Sequence, residues 1–308
     1  MPQFWYRLLL DIKSTYNKLK FINNLKNKKF FIMATTKNAT SPKKSKGFTG
    51  IKSAIWVMLI CLCLGYAFWY FVLGNPDNFA GGDRHGRPIN LMGTVYHGGV
   101  VVGLIFTLLL TAVALSIERY FALRTAFGKG SLKKFVVEIK AAIKANDFAK
   151  ARAICDKQQG SVANVVLASV NTYQQMEETT GIKKAQKIAK IQQAHEEATQ
   201  LEMPTLQMNL PIIATIVTLG TLTALFGTVL GMIGSFQALA QGGGGDSLAL
   251  SMGISEALVN TASGIATSWV AVVAYNTYTN KIDKLTYALD EVGYTIAQTY
   301  DSNHADEA

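Results

Sequence analysis

Apolar residues gather into four long tracts along the chain. Residues 53–73, 94–117, 210–240 and 257–280 contain no Asp, Glu, Lys or Arg. A helix needs about 20 such residues to cross a bilayer core of roughly 30 Å, whereas the core helix of a water-soluble protein rarely runs past about 14 without a charge. The pattern predicts four membrane spans. Between the second and third tracts it becomes helical and amphipathic: Phe135, Val136, Ile139, Ala142, Ile143, Phe148, Ala151 and Ile154 recur by threes and fours. Gly160 and Gly181 are the natural breaks in this region. A helix over residues 210–240 would be about 46 Å long, longer than a bilayer core is thick, with Pro204 and Pro211 marking its entry or a kink.

Charge orients these spans. Residues 1–52 hold twelve Lys/Arg against one acid, Asp11, and residues 118–209 hold fourteen more basic residues. Segments 74–93 and 241–252 carry Arg84 and Arg87 between them, with acids Asp77, Asp83 and Asp246. The positive-inside rule then puts the N-terminus, the 118–209 region and the C-terminal tail in the cytoplasm. The expected fold is all-α, a polytopic membrane helical bundle with long helices extending into a cytoplasmic helical domain. Its expected segments are a basic N-terminus (1–52), span one (53–73), a periplasmic loop (74–93), span two (94–117), the cytoplasmic helical domain (118–209), span three (210–240), a short periplasmic loop (241–252), span four (253–276) and a tail (277–308).

The net charge of +10 is read as a topology signal and a contact with lipid headgroups, not as a nucleic-acid surface. Residues 4–32 could form an interfacial amphipathic helix, or an extension upstream of a start at Met33 followed by a disordered basic leader. Segment 74–93 is an irregular loop by its Gly, Pro, Asn and Asp content, and Glu118, Arg119 and Tyr120 form an interfacial anchor at the exit of span two. Cys61, Cys63 and Cys155 lack the spacing of a metal or redox site and are read as small hydrophobes. The sequence QGGGGD (241–246) lacks the GK[ST] of a phosphate-binding loop and reads as a hairpin between antiparallel spans. No nucleophile, metal cluster or nucleotide loop supports an enzyme, and no cofactor is expected.

Span three carries Gly220, Ala224, Gly227, Gly231 and Gly234 or Ser235 on one face. In lipid, small residues at this repeat let helix backbones approach closely, which is a packing seam and implies no chemistry. Thr215, Thr218, Thr221, Thr223 and Thr228 add hydroxyls, each able to bond back to the preceding turn. Span four is more informative. Residues 247–280 hold one ionisable acid or base, Glu256, with nine uncharged residues before it and twenty-four after. An ionised carboxylate at membrane depth costs several kcal/mol and faces a protein interior or a water-filled cavity. Gly253, Asn260, Gly264, Thr267 and Ala271 follow the same spacing, so the acid lies on a small, polar face suited to a lumen. The alternative is an interfacial acid at the outer end of a span that begins near residue 257. His97, near the end of span two, reads as an interfacial imidazole.

The tracts LTALFGTVLGMIGSFQALA (222–240) and MGISEALVNTASGIATSWVAVVAYN (252–276) resemble the signature of the MotA/TolQ/ExbB proton-channel family, closest to its ExbB branch. Residues 141–170 resemble that family's cytoplasmic helical region, so the resemblance covers most of residues 94–280. It implies a pentamer whose pore encloses the single membrane helices of two copies of an ExbD-like partner bearing a membrane Asp. It also implies that proton flow drives rotation and energises outer-membrane transport through a TonB-like protein. By motif, Glu256 corresponds to the lumen-facing acid, and Thr228 and Thr261 to hydroxyls of the proton path. Asn260 departs from the motif, which has a small apolar residue there, and adds a polar group one turn from Glu256. The first span is absent from three-span members. A TolQ-like envelope-maintenance motor and a non-conducting membrane scaffold are the alternative functions.

Overall fold

The computed structural model describes the backbone of residues 50, 54–84, 86–241 and 247–305. The N-terminal reading over residues 4–32 and the Gly-rich hairpin at 242–246 lie outside them. Among the described residues the chain is all-α, with one isolated backbone bridge, Phe79 to Pro88. Helix α1 (Ala54–Ala67) continues through π-helical turns at Phe68–Leu73, and the short α2 (Leu91–Tyr96) follows an irregular loop. The remaining helices are α3 (Gly99–Phe127), α4 (Leu132–Lys144), α5 (Phe148–Gln158), α6 (Gly160–Glu178), α7 (Lys184–Gln207), α8 (Leu210–Gln241) and α9 (Ser247–Asn303). Four paths are long and apolar enough to cross a membrane: α1 with its π-helical extension, α3, α8 and the first half of α9. Their outward faces present Ile55, Trp56, Phe71, Leu222, Phe226 and Trp269. Large apolar side chains left exposed along such helices need lipid as their solvent, and this is a multi-pass membrane protein.

Helix α9 has 57 residues, about 86 Å at 1.5 Å per residue and nearly three bilayer cores. Residues 277–303, read from sequence as a tail, therefore continue the fourth span as one rod. The stripe Ile282, Leu285, Leu289, Val292, Ile296 and Tyr300 is buried against the α4–α7 module. Tyr300 meets Tyr173 edge to face, with ring centroids 4.9 Å apart. Gly160 opens α6 and Gly181 precedes α7, while Pro204 lies inside α7 and Pro211 is the second residue of α8.

Two buried groups in this module carry predictions. Cys155 is buried in α5, and its burial, with Asp156 beside it, pushes the thiol up to about 12. The thiolate is the reactive form, so a water-borne maleimide at neutral pH should leave Cys155 unlabelled in the native protein and label it after denaturation, read by mass spectrometry. His195 on α7 is buried, with its Nδ1 2.9 Å from Ser169 Oγ and its ring against Gly293. Burial holds the imidazole below its ordinary 6.5, against the opposing pull of Asp290 and Glu196. The unfolded chain then binds a proton that the folded chain resists. The His195 contribution to stability is full above pH 6.5 and falls as the pH drops below that value. Thermal unfolding from pH 7.5 to 5 should show a smaller loss for His195→Gln than for the wild type.

The junction between the module and the spans is ionic and buried. Pro211 has no N–H to continue a helix and its ring crowds the carbonyl four residues earlier, so α7 stops at Gln207. Asn209, at φ 64°, turns the chain into α8. The orphaned carbonyls of Thr205 and Leu206 accept from Arg119 Nη1 at 3.2 and 3.4 Å. Arg119 Nε donates to Glu118 at 2.7 Å, and Asn209 Nδ2 to the same carboxylate at 3.2 Å. Arg119 is 0% exposed. Of the three residues read from sequence as an interfacial anchor, Glu118 and Arg119 thus cap the end of α7.

Candidate functional site

Helices α8 and α9 pack antiparallel along small residues. Gly220, Ala224, Gly227, Gly231 and Ser235 of α8 face Ser268, Gly264, Asn260, Ala257 and Gly253 of α9. A Cβ on Gly227 would stand 2.7 Å from Asn260 Cγ and 2.8 Å from a methyl of Val101, and one on Gly231 would stand 3.1 Å from both Ala257 N and Gly253 O. A side chain has no room at Gly227, and at Gly231 it would press on the backbone of α9. Such approach substitutes dispersion contacts for the hydrophobic drive that lipid lacks.

Hydroxyls in the spans mostly satisfy themselves. Thr107, Thr111, Thr215 and Thr267 each donate to the carbonyl four residues earlier, at 2.8 to 2.9 Å. Thr228 and Thr261 do more. Each lies within hydrogen-bonding distance of the carbonyl four residues earlier, Ala224 O and Ala257 O, and their Oγ1 atoms meet across the seam at 2.6 Å, one hydroxyl donating to the other. Thr228 Oγ1 also lies 3.3 Å from Ala257 O. The result is a half-buried cluster of two hydroxyls and two carbonyls.

Glu256 does not sit with this pair. Five residues of α-helix turn the chain by about 140° net, so Glu256 and Thr261 flank opposite sides of the face that α9 buries against α8. Glu256 turns towards α3. Its Oε1 lies 2.9 Å from where a Cβ on Gly99 would be, at the helix end whose dipole is positive. The carboxyl is half-buried. Between the two edges lies Asn260, 0% exposed, with neither amide atom hydrogen-bonded among the described residues. The site therefore has a carboxyl edge, a buried amide and a hydroxyl edge on one helix hairpin. His97 belongs elsewhere: its Nε2 lies 3.1 Å from Gly86 O and its ring stands against Phe79, which ties the loop to the start of α3. Among the described residues no cluster of His, Cys, Asp or Glu could hold a metal ion.

Sequence reasoning missed two features. The role of Arg119 as a cap depends on residues 86 and 87 positions away, beyond any local pattern. The approach of Glu256 to Gly99 was signalled only by the Gly98–Gly99 pair near the start of the second apolar tract.

A four-span helical bundle with a lone acid and a cross-helix hydroxyl pair on its last helix hairpin defines the class, a polytopic membrane protein. Residues 161–291 match the MotA/TolQ/ExbB proton channel family. Relatives include the Tol-Pal system protein TolQ of Pseudomonas aeruginosa, 28% identical over 40% of this chain and 54% of that protein. The protein named ExbB-like 3 of Synechocystis sp. is 34% identical over 28% of this chain and 41% of its own length. The TolQ of Haemophilus influenzae is 32% identical over 29% of this chain and 39% of that protein. The chain spans about half or less of the length of these relatives.

Proposed function

We propose that this chain is the channel-forming stator subunit of a proton-driven motor in the bacterial inner membrane, with its N-terminus in the cytoplasm. The observation that carries the reading is the hairpin that holds Glu256, the one Asp, Glu, Lys, Arg or His of residues 247–280, on one edge and the 2.6 Å Thr228–Thr261 contact on the other. Glu256, Thr228, Thr261 and Asn260 form the proton path, and the Gly220, Ala224, Gly227, Gly231 and Gly264 seam holds its two helices together. The chain works as a homo-oligomer, a pentamer, around an ExbD-like single-span partner with a membrane Asp. Through a TonB-like protein it energises outer-membrane uptake. The charge distribution supports the topology, with residues 1–52, 118–209 and 277–308 cytoplasmic and 74–93 and 241–252 periplasmic.

The path is tested in proteoliposomes containing the chain and its single-span partner. Thr228→Val keeps the side-chain shape and deletes the hydroxyl, and is expected to lower proton flux about tenfold, the worth of one hydrogen bond of about 1.4 kcal/mol. Thr228→Ser should retain most of the flux. An unchanged Thr228→Val would remove the hydroxyl pair from the path. Two of the relatives carry the name TolQ, which favours a second reading, an envelope-maintenance motor. Deletion separates the readings: failure to grow on haem or ferric siderophores marks the uptake motor, and detergent sensitivity with normal uptake marks the envelope motor.

A further inference from the structure

The carboxyl of Glu256 is half-buried and flexible by its own bonds, so something outside α9 must determine where it rests. Its neighbour is the turn between α2 and α3. Gly98 closes α2's last turn, donating to Val95 O at 3.1 Å, and Gly99 starts α3 at φ +76°. A Cβ at Gly98 would stand 3.0 Å from Val259 Cγ1, and one at Gly99 would stand 2.9 Å from Glu256 Oε1. Residues 256 and 259 lie one turn apart on α9, so one edge of that helix rests on two successive glycines. The turn is itself held. His97 reaches Gly86 O, Asn90 caps α2 through Gly93 N at 2.9 Å, and Asn78 ties that cap to the end of the first span through Val72 O and Leu73 O. This anchoring segment lies outside residues 161–291, the stretch that matches the proton-channel family.

We propose that Gly99 is a positioning residue for Glu256: the missing side chain at the start of α3 is the space in which the carboxyl rests, fixed by the loop that precedes it. The inference rests on the reading of Glu256 as the proton-carrying acid. It makes the turn that opens α3, held by His97, Asn90 and Asn78, part of what positions the acid. Gly99 touches no proton itself and acts through the carboxyl it accommodates.

Backbone strain has to be separated from the loss of that space, because any side chain at φ +76° is strained. Gly82 provides the control. It has the same φ, and a Cβ there would meet nothing within 4 Å. In the full-length protein with its partner, two quantities are measured for Gly99→Ala and Gly82→Ala: proton flux, and the rate at which dicyclohexylcarbodiimide modifies Glu256, read by mass spectrometry. Gly99→Ala is expected to lower flux and to speed modification several-fold, since the added methyl pushes the carboxyl out to its exposed side. Gly82→Ala should change neither. Adding Glu256→Asp to Gly99→Ala shortens the side chain by one methylene, and should bring the modification rate back to that of Glu256→Asp alone. Equal rates for Gly99→Ala and Gly82→Ala, or no relief from the shorter acid, would overturn the proposal. Should Gly99→Ala fail to assemble, Gly99→Asn takes its place, because asparagine tolerates the left-handed region better. If Glu256→Gln left flux intact, the proton-path reading would fall, while the modification rates would still decide where the carboxyl rests.

Discussion

Glu256→Gln should reduce partner-dependent proton flux by about two orders of magnitude or more, the scale lost when a positioned acid–base group is removed. The amide has nearly the shape of the carboxyl and keeps its hydrogen-bonding capacity, but cannot take up and release a proton near neutral pH. The variant should therefore assemble normally, because Glu256 is only half-buried and the α8–α9 seam is made by Gly220, Ala224, Gly227 and Gly231 against other residues. Flux into proteoliposomes, normalised to assembled protein by size-exclusion chromatography, is the measurement. Full flux in an assembled Glu256→Gln would leave the acid as a field-tuning group and strengthen the scaffold alternative.

The second large effect is on stability. Arg119→Met leaves the Glu118 carboxylate buried without its guanidinium and strips the α7 carbonyls of Thr205 and Leu206 of their donor. Breaking a buried pair by removing one partner costs about 3–5 kcal/mol, because the remaining charge stays buried. The expected result is a large fall in the thermal midpoint in detergent. Glu118→Leu combined with Arg119→Met should recover much of the loss, since replacing a buried pair by apolar residues removes both desolvated charges. A double variant as unstable as Arg119→Met alone would show that the cap on α7, rather than the ion pair, dominates the junction.

Local composition carries much of this architecture. An apolar tract with no charge has one good solvent, and four such tracts yield a four-span helical protein whatever the packing. The stripe from Gly220 to Gly231 was legible as a close-packing face because backbone approach is limited by side-chain size alone. The rod from Ser247 to Asn303 was legible in part. Its stripe from Ile282 to Tyr300 has helical spacing, but the lysine and acids between its members disguise it as a tail until the α4–α7 module is there to bury it.

Glu256 separates the two kinds of information most sharply. The sequence by itself determined that one carboxyl lies in an otherwise uncharged span, since the cost of burying charge depends only on what surrounds it along the helix. It also determined that Thr261 and Asn260 follow within about a turn. Only the tertiary structure decided their partners. Helical rotation sends Thr261 to Thr228 on one edge, leaves Asn260 enclosed against Gly227, and turns Glu256 to Gly99 on the other. Contacts between helices depend on register and rotation, and these are set by close packing summed over the bundle, which no single stretch of sequence contains.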